Sequence, residues 1–387
     1  RDGQELVLQW ALGRAWLAKG TPIPEVKETY SRARELCEKS GRSSYLSGIL
    51  GQLSVLYYTR AEYPRALELA EEGLSLALEG NDPLLVAVGH WHLGFIIFAL
   101  GQYETARGHL QNVISVYDPT QHHLPFLALR GSDAGMSAMA YDACCLWCLG
   151  YPEQALERSQ KALALAWELD HPMSTADALC YAGCVFNQMR QDAPALKASA
   201  EKLVQLSAKM GFPGWYIFGN SMRAEALAML GDARESIDLL QQHIAANETL
   251  GARCYMPGTL RALAEAQARA GEIGKALATV AAALDLVEKT GERHWEAELR
   301  RVRAQLLLAQ KDQGRAEASL QKAIEVARQQ EAKSWELRAT TDLARLWQAQ
   351  GKVEQAHEAL LEVYLWFTEG FDTPDLQQAA ALLEELS

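Results

Sequence analysis

Basic residues are under-represented in this chain, with 37 Lys and Arg against 49 Asp and Glu and a net charge of −12. No run of Lys and Arg is long enough to make the basic stripe of a nucleic-acid binder. The same balance argues against an anionic membrane surface as partner. Long apolar runs are also missing. The longest, near residues 93–100, falls far short of the ~18 residues that a membrane helix needs. No charged-then-apolar signal segment opens the chain. The seven cysteines are odd in number and fall on helical patterns, so a disulfide framework is not expected and a reducing cytosol fits best.

Catalytic signatures are lacking too. There is no His-Glu-x-x-His and no Gly-x-Ser-x-Gly elbow, and the Ser-x-x-Lys spacing occurs at Ser199 and Lys202 only on a plain helix face. The stretch Gly271-Glu-Ile-Gly274-Lys275-Ala276 lacks the spacing and the hydroxyl residue of a phosphate loop, and it reads as an ordinary turn. Paired carboxylates such as Glu71-Glu72 and Glu384-Glu385 read as solvated helix surface. The expectation is a protein that is not an enzyme and carries no cofactor.

What the chain has instead is a beat. From Ala356 backwards, small residues recur at Ala316, Ala276, Ser236, Ala195, Ala155, Ala106 and Ala66, with Val26 at the start. The spacings are 40, 40, 40, 41, 40, 49, 40 and 40. A turn residue, often glycine (Gly101, Gly150, Gly231, Gly271, Gly351), lies five residues before the anchors. Twelve residues before them lies a second small residue: Ser54, Gly94, Ala143, Gly183, Ala224, Ala264, Ala304 and Ala344. Two small positions flanking a turn mean two helices, A then B, pressed close together. Pro24, Pro64, Pro152 and Pro194 mark first turns of B helices, where the missing N–H costs nothing. Gly41, Gly80, Gly211, Gly251, Gly291 and Gly370 close them.

This pattern resembles the tetratricopeptide repeat (TPR), with a period of 40 in place of ~34. The resemblance implies an all-α, TPR-like solenoid over residues 1–387, a right-handed superhelix of about nine helical hairpins. Residues 117–136 hold the nine extra residues of the 49-residue gap and read as an inserted loop. Residues 373–387 read as a capping helix with an apolar stripe of Leu376, Ala379, Ala380, Leu383 and Leu386.

A narrower resemblance lies in Val363-Tyr-Leu-Trp-Phe-Thr-Glu-Gly-Phe-Asp-Thr-Pro-Asp-Leu376, Val116-Tyr-Asp-Pro119, Leu149-Gly-Tyr-Pro-Glu-Gln-Ala-Leu156, Lys289-Thr-Gly-Glu-Arg293 and Ala344-Arg-Leu-Trp347. These stretches look like the C-terminal tail of large bacterial signalling proteins. Such proteins join a class III adenylate/guanylate cyclase-type or DNA-binding domain to a STAND (AAA-type) ATPase and a TPR-like tail. The resemblance implies a regulatory tail cut from a larger protein, which fits a chain that begins at Arg1 already inside an amphipathic pattern.

In a TPR array helix A lines the concave face. The inward positions give an aromatic half that includes Trp91, Phe95, Phe98 and Trp147, and a charged half that includes Arg261, Glu265, Arg301, Arg338 and Arg345. These nine are the candidate binding residues. A second column, 21 residues before the anchors, turns aromatic at Trp215, Tyr255, Trp295 and Trp335, the signature of packing between repeats. Cys144/Cys148 and Cys180/Cys184 are spaced i, i+4 on neighbouring helices. Helix axes 8–10 Å apart against Zn–S bonds of ~2.3 Å favour core packing over a zinc site, and His122-His123 lacks a third ligand, so no metal is expected. Two functions stay open. One is a regulatory module that binds a protein or peptide segment, including its own ATPase or cyclase domains, on the concave face. The other is a small-molecule sensor that uses the aromatic half.

Overall fold

The computed structural model describes residues 2–18, 24–40 and 43–387. Their regular secondary structure is helical throughout. Helices alternate as antiparallel A–B pairs, for example Ser43–Thr59 with Tyr63–Glu79, and Pro83–Ala99 with Tyr103–Val116. The small positions do what their size allows. A Cβ on Gly94 would lie 2.6 Å from a methyl of Leu110 on the paired helix, and Ala66, Ala106, Ala155, Ala276, Ala316 and Ala356 are fully buried. Gly41, expected to close a B helix, lies outside the described residues.

Every described A–B turn uses one backbone device. The residue five before the buried anchor takes a left-handed conformation and stops helix A. Glycine does so at 101, 150, 231, 271 and 351, and Ala61, Gln191 and Lys311 do so at φ 58°, 58° and 65°. Gln191 corrects the register in one unit. The buried anchor there is Leu196, while Ala195 stays half-exposed. The extra residue of the beat therefore falls between Ala155 and Leu196. It is taken up by a π-helical segment, Leu179–Val185, inside the A helix that starts at Pro172. A π turn holds one residue more than an α turn.

The segment 117–136 is not a loop. It folds as the helix Pro119–Arg130, with Asp118 accepting from Thr120 N–H at its start and Gly131 (φ 87°) ending it. Pro119 sits where a missing N–H is harmless, and His and Gly residues elsewhere in the segment had suggested irregular chain. At the far end, Pro374–Leu386 packs on the last hairpin through Leu376, Ala379, Leu382, Leu383 and Leu386, while Ala380 is only half-buried.

The solenoid closes on itself. Helix A ends in carbonyls that have no partner within the helix, and these are met by loops from much later in the chain. Thr59 O accepts from Arg253 N (2.8 Å) and Cys254 N (3.2 Å). Ala99 O accepts from Arg293 N (2.9 Å) and His294 N (3.2 Å). Trp147 O, which also accepts from Gly150 N (3.1 Å), accepts from Ser334 Oγ (2.5 Å), across 187 residues. The three loops share one local pattern: a left-handed residue (Gly251, Gly291, Glu331), a basic residue two later and an aromatic four later. Farther along, Gly370 N donates to Glu153 Oε1 (2.8 Å) and Glu369 accepts from Glu153 N and Gln154 N. Successive superhelical turns are thus stitched edge to edge, about five repeats apart. The aromatic column fills the space between them: Trp147 packs on Trp335 at 4.7 Å, Trp335 on Trp295 at 5.3 Å and Phe98 on His294 at 5.5 Å.

One seam residue carries a pH dependence. Glu292 is buried and accepts from the Tyr63 hydroxyl and from Tyr255 N–H. Burial pushes its pKa up from 4.5 to about 8. The folded state therefore keeps a proton that the unfolded chain has lost, and stability falls as pH rises from about 4.5 to about 8. Glu292→Gln is expected to flatten the fall in melting temperature between pH 6.5 and 8 relative to the parent chain. Equal slopes for the two proteins would contradict this.

Candidate ligand-binding site

Closing the superhelix consumes most of the concave face but leaves a cavity of about 260 Å³ inside its first turn. Its walls are largely aromatic. Trp91 and Phe95, on the A helix Pro83–Ala99, lie 4.6 Å apart, and Tyr58 packs edge-on against Phe95 at 4.7 Å. Tyr141 and Tyr181 lie 4.2 Å apart on the next two A helices. Trp215 and Phe218 come from the helix Pro213–Leu230, and Tyr255 comes from a seam loop. The π-helical segment brings Cys180 and Tyr181 onto the wall. Burial pushes the pKa values of Tyr58, Tyr141, Tyr181, Tyr255 and Cys180 well above their ordinary values, so these groups stay neutral.

The polar part is small and ordered. Arg130 Nη2 donates to Asp177 Oδ2 (3.1 Å), and Ser132 Oγ donates to the same oxygen (3.3 Å). The guanidinium lies 3.5 Å from the centre of the Trp91 ring, a cation–π contact strengthened by burial. Arg130 is the last residue of the inserted helix, and Gly131 turns the chain there. The nine extra residues thus deliver one cation to a chamber whose walls are mainly apolar. His243 lines another wall; burial lowers its pKa to about 4. Its Nε2 sits 2.7 Å from Asn247 Nδ2 and its Nδ1 lies 3.2 Å from Ile217 O, partners that suit a neutral ring protonated on Nδ1.

The nine residues expected on a concave groove divide three ways. Trp91 and Phe95 line the cavity. Phe98 and Trp147 are buried in the seam. The charged five form no continuous surface. Arg261 is buried over Trp295 and pairs with Glu225 and with Glu265 (2.8 Å). Arg301 forks onto Glu298 (2.8 and 2.6 Å) and reaches Asp342 (2.8 Å). Arg338 binds Asp375 and Met189 O (2.8 Å each). Arg301, Arg338 and Arg345 do share a small polar recess of about 50 Å³, but Asp342 and Asp375 line it as well. Only Arg345 is open to solvent, with its side chain 47 % exposed.

Sequence reasoning passed over Arg130, Asp177, Tyr141 and Tyr181. A lone arginine before glycine, at the end of the nine-residue interruption of the beat, was the available signal. The four spaced cysteines are buried, and Cys144 Sγ lies 3.7 Å from Tyr181 O. Among the described residues no three His, Cys, Asp or Glu side chains gather as a metal would need. No helix among them is long and apolar enough to cross a membrane.

No protein-family model matches the chain, and no curated protein matches it either. Solved structures do. A Rap protein complexed with competence and sporulation factor aligns over 100% of this chain and 99% of its own, at 12% identity and a TM-score of 0.61. A STAND protein with a tetratricopeptide repeat sensor from Pyrococcus horikoshii aligns over 94% of this chain, at 14% identity and a TM-score of 0.44. The chain spans about half, 55%, of that protein's length. A human IFIT1 dimer with m7Gppp-AAAA aligns over 88% of this chain and 76% of its own, at 17% identity and a TM-score of 0.45. The fold is a TPR-like α-solenoid.

The burial of the arginines sets a testable contrast. Arg261→Ala would leave Glu225 buried without its cation, and the expected loss is about 3–5 kcal/mol of unfolding free energy. Arg345→Ala, at an exposed pair, should stay within about 0.5 kcal/mol. Urea denaturation of both variants measures this, and a mild effect of Arg261→Ala would mean that its ion pairs are not structural.

Proposed function

We propose that this chain is a non-catalytic sensor module whose effector, a small and mainly apolar molecule, binds in the aromatic cavity. The observation that carries this reading is the chamber itself. It is larger than the roughly 150 Å³ cavity that takes up benzene, and aromatic rings surround a single ion pair. Ligand sites combine apolar walls with a few placed polar groups in this way. Of the two functions left open by the sequence, the arrangement favours the small-molecule sensor. The arginines of the other reading are already neutralised by Glu225, Glu298, Asp342 and Asp375. Charge reversal at Arg261 or Arg301 would therefore act on folding before it acted on any partner.

The rest of the proposal concerns context. The likeness to the C-terminal tail of cyclase-type and STAND signalling proteins supports a module that reports occupancy to upstream domains. The Rap protein of the same fold was solved complexed with competence and sporulation factor, which supports a ligand-receiving role for this architecture. A ligand acts on such a module only by binding two states unequally. Here the seam is the element that could differ between states, because Tyr255 belongs both to a seam loop and to the cavity wall.

A thermal-shift screen of bicyclic aromatic compounds tests this, with the parent chain beside Val55→Trp, which adds bulk at a half-buried wall position. A ligand at 100 times its Kd adds about 2.7 kcal/mol. Compounds that stabilise the parent should fail with the variant, whose own melting temperature stays near the parent's. Compounds that stabilise both equally would bind elsewhere and contradict the assignment.

A further inference from the structure

Asp177 presents the chamber with an acceptor that the protein leaves unused. The residue lines the cavity, and its side chain is only 4 % exposed. Oδ2 accepts from Arg130 Nη2 (3.1 Å) and from Ser132 Oγ (3.3 Å). Oδ1 meets no donor among the described residues, yet unlike Arg130 Nη1 it keeps accessible surface. Arg130 and Ser132 thus clamp one carboxylate oxygen and leave the other free. Gln52, on the helix Ser43–Thr59, is in the same position. It is 4 % exposed and lines the cavity, and its carboxamide keeps accessible surface but has no partner among the described residues. Buried polar groups are nearly always hydrogen-bonded, so two unpaired ones in the walls of one chamber mark where the polar atoms of a ligand belong.

The charge of the site narrows the choice. Arg130 balances Asp177, and His243, with its pKa lowered to about 4, is neutral at physiological pH. An ammonium at Asp177 would sit beside the guanidinium and bury a charge that nothing compensates. A carboxylate there would set two negative groups together. A neutral N–H or O–H satisfies Oδ1 and brings no charge to bury. Resting on the reading of the cavity as the effector site, we infer that its ligand is an uncharged hydrogen-bond donor, an N–H heterocycle, phenol or alcohol with an aromatic or branched apolar body. The N–H or O–H donates to Asp177 Oδ1 while the body lies among Trp91, Phe95 and Tyr181. Asp177 is the specificity-determining residue, and Arg130 positions it.

Four probes that share a bicyclic ring separate the alternatives by calorimetry: indole, benzothiophene, tryptamine and indole-3-acetate. Benzothiophene is the isostere of indole without the N–H. Indole is expected to bind roughly tenfold or more tightly than benzothiophene, since a hydrogen bond to a charged acceptor contributes that much. Tryptamine and the acetate should bind more weakly than indole. Asp177→Asn leaves an oxygen for Arg130 and Ser132 and turns a donor toward the chamber. It should keep its affinity for benzothiophene and lose the preference for indole. Should that variant fail to fold because Arg130 loses its counter-charge, Arg130→Met with Asp177→Leu removes both charges together and carries the same expectation. If indole shows no advantage, or if tryptamine or the acetate binds tightest, the donor inference falls while the cavity remains a binding site. If a folded variant keeps the indole preference, Asp177 is not its source and the assignment falls. If none of the four probes binds, the effector-site reading itself is overturned.

Discussion

The carbonyl group at the end of helix A is the interaction on which the rest of the structure depends. An α-helix leaves its last carbonyls without partners, and a solenoid repeats that problem in every unit. Here Thr59 O and Ala99 O each accept two N–H groups from a loop one superhelical turn later, and Trp147 O accepts the Ser334 hydroxyl. Each bond contributes only about 1 kcal/mol net. Their geometry nevertheless decides the architecture, because edge-to-edge stitching turns an open spiral with a groove into a closed one with an interior. The aromatics that an open array would offer to a partner become core, with Trp335 at 1 % exposure.

Closure also explains the character of the charged half. Drawn into the interior, Arg261, Arg301 and Arg338 cannot stay hydrated, and each is held by a carboxylate of a neighbouring helix. Arg261 and Arg338 lie over tryptophans as well. Such networks are costly to break, though they need not add net stability over an apolar core. In the first turn the same closure leaves a gap, and the π-helical segment and the inserted helix both direct residues into it. Each is a departure from the 40-residue beat: one extra residue in the first case, nine in the second.

Much of the architecture was legible because it is local. Small residues at fixed spacing can only mean close helices, and the left-handed turn residue was visible wherever it was glycine. Where Gln191 replaced glycine, the register slipped by one: Ala195 fitted the small-residue rule, but Leu196 is the residue buried. The inserted helix was misread because Pro119, Pro125 and the flanking glycines are loop formers on average, yet Pro119 sits in the first turn, where proline is tolerated, and Pro125 is carried inside the helix. Of the site, Trp91 and Phe95 were found because they follow the A-helix face. Arg130 and Asp177, 47 residues apart, come together only through the fold. The aromatic column that fills the seam was visible as a period, but its pairings were not, since a pattern that repeats every 40 residues does not say which units about 190 residues apart meet.

The claim that closure makes the cavity is tested most directly by native-state hydrogen exchange at the amides of Arg253, Cys254, Arg293 and His294. The stitched superhelix predicts protection comparable with that of the buried A helices, because these loop amides are released only when the turns separate. Exchange at the rate of an ordinary exposed loop would contradict the closed architecture and, with it, an effector site formed by that closure.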